Sequence, residues 1–307
     1  MAAQPVKQQR NRPSAQPLLT IALPVYNGAA TLELAIRSIL LQSFTDWEMI
    51  ILDDASTDDS RAVMRSFQDS RICLVEGDKN IGLSARLNMA VDMAEGRYFA
   101  RMDQDDISFP DRLEKQLDYL QKHPGIDLLA TSTIPFRGDG EALGRLPVAS
   151  EHEQICARPW NGFHLPHPTW MGKTDWFRQH RYESVADGAE DQQLLLRTYR
   201  LSRFACLQEP LLAYREGDRP LKKMLRARRI FARAYMRVFF FERNYGMVIR
   251  MGLLLLLKVA ADILHACVGS DRLRNTLLPL SSAQQTAWLK LWSVLMENSA
   301  GDAVAEA

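Results

Sequence analysis

A chain of 307 residues, 47% of them hydrophobic and 24% charged, is too long for a peptide-scale scaffold and long enough for one large domain plus an appendage. Its formal charge of +1 argues neither for nor against nucleic acid, which is not expected as a partner. Cys73, Cys156, Cys206 and Cys267 are far apart with no CxxC pair, which disfavours a zinc site, gives no disulfide framework and points to reduced cytosol.

Residues 1–16 are polar, contain proline and lack an apolar run, so they are expected to be a disordered tail rather than a signal peptide or anchor. Leu18 to Val25 is a nearly continuous apolar run that ends in Pro24-Val25-Tyr26-Asn27-Gly28, as expected of a strand buried on both faces that enters a loop. Thr31 is placed to cap the next helix, whose inner side carries Leu32, Ile36, Ile39 and Leu40. Met49 to Leu52 reads as a second strand and ends in Asp53-Asp54. Thr57, Asp58 and Asp59 open another helix, Ile72 to Val75 reads as a third strand, and Leu83, Leu87, Val91 and Ala94 mark the face of a further helix. Arg97 to Met102 is the fourth strand, and Pro110 sits where the first turn of the following helix should start. Strands alternating with helices in this way predict an open, mostly parallel α/β sheet.

In such sheets ligands bind beyond the carboxyl ends of the strands. Tyr26-Asn27, Asp53-Asp54 and Asp103 to Asp106 all fall there, so separate segments converge on one rim. Asp103, Asp105 and Asp106 place three carboxylates within four residues. Carboxylates crowd together at a cost unless a cation neutralises them, and hard oxygen ligands suit Mg²⁺ or Mn²⁺ with positions left for nucleotide phosphates. Beyond residue 135 the pattern loosens. Phe136 to Ser150 reads as a loop, Trp160 to Trp170 is aromatic and proline-rich, and Ala189-Glu190-Asp191 leads into a helix with Leu194, Leu195, Leu196 and Tyr199. Phe204 to Leu207 and Leu211 to Tyr214 are expected to be short strands.

Together, Pro24-Val25-Tyr26-Asn27, Asp53-Asp54-Ala55-Ser56-Thr57-Asp58, Asn80-Ile81-Gly82 with Arg86 and Asn88, Met102 to Asp106, Pro110 to Leu113 and Glu190-Asp191 resemble the family-2 inverting glycosyltransferases of the GT-A fold. The resemblance covers roughly residues 17–215. It implies a nucleotide-sugar donor, with a UDP-sugar favoured, and a glycan or lipid-linked acceptor. Pro24 and Tyr26 would flank the nucleobase, Asp54 would accept the uracil imide N–H, and Arg86 would reach the diphosphate or base. Asp105 would ligate Mn²⁺ or Mg²⁺, with Asp103 bonding the ribose or helping the metal. Inversion needs one base beside the acceptor hydroxyl; Asp191 takes that role, and Glu190 orients the loop or contacts the acceptor or donor sugar. His164 and His167 read as packed or solvated, and Lys173 stands where the family often has a basic pair.

Residues 216–300 are expected to form a helical, membrane-associating appendage, followed by a disordered tail at 301–307. After Pro220, Lys222, Lys223, Arg226, Arg229, Arg233 and Arg237 share one helical face, and Arg228 interrupts the apolar side. Met247 to Val268 contains the run Met251 to Leu257 but is broken by Arg250, Lys258, Asp262 and His265, so it falls short of the roughly 20 apolar residues of a spanning helix. Ala283 to Met296 adds one more helix. A cationic face followed by leucines predicts peripheral contact with the anionic inner face of a membrane from the cytoplasm. The rival readings are a catalytically silent nucleotide-sugar binding protein and a nucleotidyltransferase, the latter lacking its Gly-rich, Lys-bearing phosphate loop. A dinucleotide oxidoreductase is disfavoured because no G-x-G-x-x-G follows the first strand.

Overall fold

The structure, a computed structural model, describes residues 16–217, 221–241, 243–268 and 276–305. Nearly all of the expected N-terminal tail lies outside the described residues. β1 (Leu19–Val25) is flanked by β2 (Trp47–Asp53) and β4 (Tyr98–Arg101), with β3 (Ile72–Glu76) beyond β2, all parallel. Alternate residues of these strands face opposite ways, and both faces are covered. Ala22, Ile50 and Leu52 pack with Leu87 and Val91 of α3 (Leu83–Met93). Ile21, Leu23, Met49 and Ile51 pack with Ile36 of α1 (Ala29–Leu40), Met64 of α2 (Ser60–Ser66) and Leu113 of α4 (Arg112–Lys122). Two-sided burial is why the strands read as unbroken apolar runs.

The sheet continues from β4 through β7 (Met171–Lys173), β6 (Leu128–Phe136) and β8 (Phe204–Arg215) to β5 (Ile107–Ser108), making eight strands in the order β3-β2-β1-β4-β7-β6-β8-β5. β7 is antiparallel to both neighbours, and β6 and β8 are parallel. Connections include α5 (His152–Ile155), α6 (Thr174–Gln179) and α7 (Glu190–Thr198).

Several local expectations change. The two short strands expected at 204–214 are one, β8, whose pairing with β6 shifts register around Ser132 opposite Pro210; proline cannot donate to the ladder, so the strand bulges there. Thr31 does not cap α1. The helix starts two residues earlier, and the amides at its start donate to side chains at the entry to α2: Gly28 N–H to Ser60 Oγ (2.8 Å) and Ala29 N–H to Asp58 Oδ2 (3.0 Å). Pro110 precedes the first residue of α4 by two positions.

α8 (Leu221–Phe241) and α9 (Tyr245–Val268) form a hairpin against the α/β body. Tyr235, Phe239 and Met251 enter the same core as Phe99 and Leu194. Arg228, which interrupts the apolar side of α8, forms a two-pronged ion pair with buried Asp262 of α9, one prong being Nη2 to Oδ1 at 2.9 Å. Two residues that look disruptive in sequence thus satisfy each other. α10 (Ser282–Ala305) docks Trp288, Leu291 and Leu295 on Ile134 and Phe136 of β6. Its backbone is helical to Ala305. No helix among the described residues is long and apolar enough to cross a membrane.

Candidate active site

β1, β2 and β4 end at one rim, and a cavity of about 770 Å³ opens there. Pro24, Tyr26, Asp54, Arg86, Asp103 and Asp105 all line it, so every residue assigned to the donor side from sequence is brought together. Tyr26 is 48% exposed. Its backbone is held on both sides by Gln104, whose Oε1 accepts the Tyr26 N–H (2.7 Å) and whose Nε2 donates to the Tyr26 carbonyl (3.1 Å). Next to it, Asn27 takes a left-handed φ of 50°, and Ala55 in the facing loop takes 61°. Both are sterically costly for residues with a Cβ, and such strain persists where surrounding contacts enforce it.

Asp54 is buried and heavily engaged. Oδ1 accepts from Ile81 N–H (2.8 Å) and Arg86 Nε (2.8 Å), and Oδ2 accepts from Gly82 N–H (2.9 Å). A carboxylate has about four acceptor sites, which leaves one on Oδ2 for a ligand donor. Arg86 is also buried, with Nη2 donating to the Lys79 carbonyl (2.9 Å). Its Nε and Nη2 turn into the protein, an arrangement that positions Asp54. Breaking a buried ion pair costs about 3–5 kcal/mol. Arg86→Met is expected to lower stability by about 3 kcal/mol in urea unfolding and to weaken nucleotide binding in calorimetry. Unchanged stability with weakened binding would make Arg86 a ligand contact instead.

Asp103, Asp105 and Asp106 bring carboxylate oxygens within 4.8 Å of one another. Asp103 Oδ1 accepts from Arg101 Nη2 (2.6 Å). Burial and the Asp103 charge hold Asp105 above the ordinary carboxylate range, and burial with both neighbours does the same to Asp106. This accumulation of confined negative charge fits a hard divalent cation. Asp106 Oδ1 accepts Arg215 N–H (3.0 Å), tying the end of β8 to the acid loop, the segment that carries Asp103, Asp105 and Asp106.

A second acid group adjoins the first. His167, Glu190 and Asp191 place ligand atoms within 4.8 Å of one another. Asp191 lines a neighbouring cavity of about 310 Å³, walled by Trp160, Phe163, Phe231, Met251 and Lys258, which shares Gly188 and Ala227 with the larger one. Gln192 Nε2 donates to Asp191 Oδ2 (3.0 Å). Glu190 lines neither cavity: it is buried, its Oε2 accepts Gly188 N–H (2.7 Å), and it lies 3.6 Å from His167 Nδ1. Of the two roles expected for Glu190, this geometry suits loop orientation and not sugar contact. Lys173 is turned away from both cavities, its Nζ donating to the Pro124 carbonyl (2.7 Å).

His167 is packed, as expected, with Nε2 3.0 Å from the Tyr182 hydroxyl. Burial, reinforced by the Arg101 charge, pushes its imidazole down to about 3. Above the ordinary value of 6.5 both folded and unfolded chains carry it neutral. Between that value and about 3, the unfolded chain binds a proton that the folded chain refuses, so stability falls as pH drops through this window, by up to about 1.4 kcal/mol per pH unit. His167→Gln is expected to flatten the decline of melting temperature between pH 6.5 and pH 4. An unaltered slope would assign the decline to other groups.

Sequence reasoning missed three charged residues of the larger cavity: Arg101, Asp187 and Arg226. Arg101 is buried, and its Nε and Nη1 have no hydrogen-bond partner among the described residues. Both acid groups act on its charge, Asp103 and Asp106 from one side and Glu190 from the other. Asp187 Oδ1 accepts Ser84 N–H (3.1 Å). Arg226 belongs to the basic face of α8; nothing local in the sequence says that this face borders the rim.

The chain is 35% identical over 214 residues to a putative glycosyltransferase, EpsE, of Bacillus subtilis (strain 168), covering 67% of this chain and 76% of that one. Over 106 residues it is 36% identical to the UDP-Glc:alpha-D-GlcNAc-diphosphoundecaprenol beta-1,3-glucosyltransferase WfgD of Escherichia coli, 34% of this chain and 42% of that one. Among solved structures, the mannosyltransferase PcManGT from Pyrobaculum calidifontis in complex with GDP-Man and Mn²⁺ matches with a TM-score of 0.57 at 17% identity, over 92% of this chain and 86% of that one. That likeness is one of fold, the GT-A type of sheet with flanking helices. The profile of Glycosyl transferase family 2 matches residues 20–181, a span that takes in β1, β2, β4 and the acid loop. More than half of the chain is matched, and the chain belongs to glycosyl transferase family 2.

Proposed function

We propose that this glycosyltransferase carries out metal-dependent, inverting transfer of a hexose from a UDP-sugar to a hydroxyl of a glycan or lipid-linked acceptor, at the cytoplasmic face of an anionic membrane. The observation that carries the reading is the division of labour between two adjoining cavities. Tyr26, Asp54, Asp103 and Asp105 line one, Asp191 lines the other, and Gly188 and Ala227 belong to both. The named donors of WfgD and PcManGT, UDP-Glc and GDP-Man, support a nucleotide sugar.

In the larger cavity the exposed Tyr26 ring and Pro24 receive the nucleobase, and the remaining acceptor site on Asp54 Oδ2 takes a base N–H, which favours uracil. Asp105 with Asp103 would hold Mn²⁺ or Mg²⁺, which supplies positive charge against the leaving diphosphate. Arg101, with two unused donors, and Arg226 add protein charge to the same wall. In the smaller cavity Gln192 donates to Asp191 Oδ2 and orients the carboxylate, whose Oδ1 serves the acceptor. Asp191 removes the hydroxyl proton as the acceptor oxygen attacks the anomeric carbon. The bond to the diphosphate breaks on the opposite side, so configuration inverts and the proton stays on Asp191. No separate general acid is required, since the diphosphate is already a good leaving group.

A nucleotide-release screen of purified protein against a panel of sugar nucleotides, with and without Mn²⁺ and lipid acceptors, tests the reading. Release from one UDP-sugar that requires both metal and acceptor supports it. Absence of release from every donor contradicts it.

A further inference from the structure

α9 presents two unlike faces. Met251 and Asp262 are buried against α8 and the catalytic body. On the other side Tyr245, Ile249, Leu253, Leu256, Leu257 and Leu264 are exposed, Leu256 and Leu257 by 68% and 67%. Their spacing of three and four residues puts them on one stripe of the helix. Phe240 and Phe241 extend the exposed apolar surface at the tip of the hairpin. Scattered surface leucines need no explanation, but a contiguous apolar face on a monomer marks an interaction site.

The charge pattern identifies the occupant. From Leu221 to Leu264 the sequence holds ten Lys and Arg against two acids, Glu242 and Asp262, and Asp262 is buried in its pair with Arg228. Arg243 and Arg250 are exposed on or beside the stripe-bearing helix, and Arg237 lies over the Phe241 ring at 5.9 Å. An apolar stripe edged by aromatics and cations, on a helix too broken to span, matches the requirements of one leaflet of an anionic bilayer. A second protein copy seated on the stripe would set the exposed Arg243 and Arg250 against their own counterparts.

The inner side of the same hairpin completes the smaller cavity, with Phe231 from α8 and Met251, Leu254, Leu255 and Lys258 from α9. We propose that α9 lies in the membrane interface as a monotopic anchor, its stripe among the acyl chains. The mouth of the Asp191 cavity then meets the head-group layer, and a lipid-linked acceptor enters sideways from the leaflet. The acceptor half of this inference rests on the reading of that cavity as the acceptor site; the anchor half does not.

Flotation with vesicles of phosphatidylglycerol and phosphatidylethanolamine tests the anchor on the full chain. Leu253 and Leu257 line neither cavity, so a Leu253→Gln/Leu257→Gln variant removes apolar surface without touching the site. Leu289→Gln, at an exposed position of α10, is the control. Wild type and control are expected to float, with a portion still bound at high salt because apolar contact is not screened. The double variant should float at least about tenfold less, with its melting temperature unchanged. Wild type that stays with the soluble fraction, a double variant that floats as well as wild type, or a self-association that the double variant abolishes would each overturn the proposal. Turnover separates the two halves. The double variant should match wild type on a short, water-soluble acceptor and lose about tenfold or more on a long-chain acceptor in vesicles. Equal turnover on both overturns lateral entry. Inactivity of wild type on either acceptor would instead indict the acceptor-site reading, with flotation still deciding the anchor.

Discussion

Asp105→Asn is expected to reduce metal-stimulated transfer by at least about 10²-fold, because it replaces a charged hard ligand by a neutral amide of nearly equal volume. The fold should survive. Burial and the Asp103 charge already disfavour the ionised Asp105 side chain in the metal-free protein, so the amide relieves repulsion rather than creating it. Melting temperature without metal should be equal or higher, and raising Mn²⁺ should no longer raise the rate. Turnover near wild type at saturating Mn²⁺ would remove Asp105 from the metal site.

Asp191→Asn should fail differently. The proposed nucleotide contacts lie in the larger cavity, which Asp191 does not line, so affinity for the nucleoside diphosphate is expected to stay within about twofold of wild type. Transfer to the acceptor should fall by about 10² or more, the magnitude attached to loss of a general base. Calorimetry and single-turnover kinetics separate the two quantities. Equal losses of affinity and turnover would move Asp191 out of the base role.

The convergence of Tyr26, Asp54, Asp103 and Asp105 on one rim was legible in the sequence because each part sits at the end of an apolar run. Val25, Asp53 and Arg101 close parallel strands, and strand ends in a parallel sheet share one rim. β6 was not legible. Thr131, Ser132 and Thr133 interrupt it, and Pro135 argues against a central strand, yet all are buried because tertiary partners satisfy them: Thr131 N–H donates to Thr169 Oγ1 (2.9 Å) and Ser132 Oγ to the Leu146 carbonyl (2.6 Å). The hydrogen-bond partners of Arg86 and Glu190 escaped for a related reason. A buried Arg paired across 32 positions with Asp54, or a Glu turned from the cavity toward Gly188, leaves no periodic trace. The α8–α9 hairpin was half readable. Its cationic face was visible in the spacing, but which leucines of α9 face outward depends on where the hairpin docks.

Metal-assisted binding of the nucleotide in the larger cavity is the central claim, and calorimetric titration of UDP with and without Mn²⁺ tests it most directly. The account predicts binding of UDP to wild type that strengthens by about tenfold or more with Mn²⁺, the same enhancement in Asp191→Asn, and none in Asp105→Asn. UDP affinity indifferent to Mn²⁺ in all three proteins, or an enhancement that persists in Asp105→Asn, would contradict it.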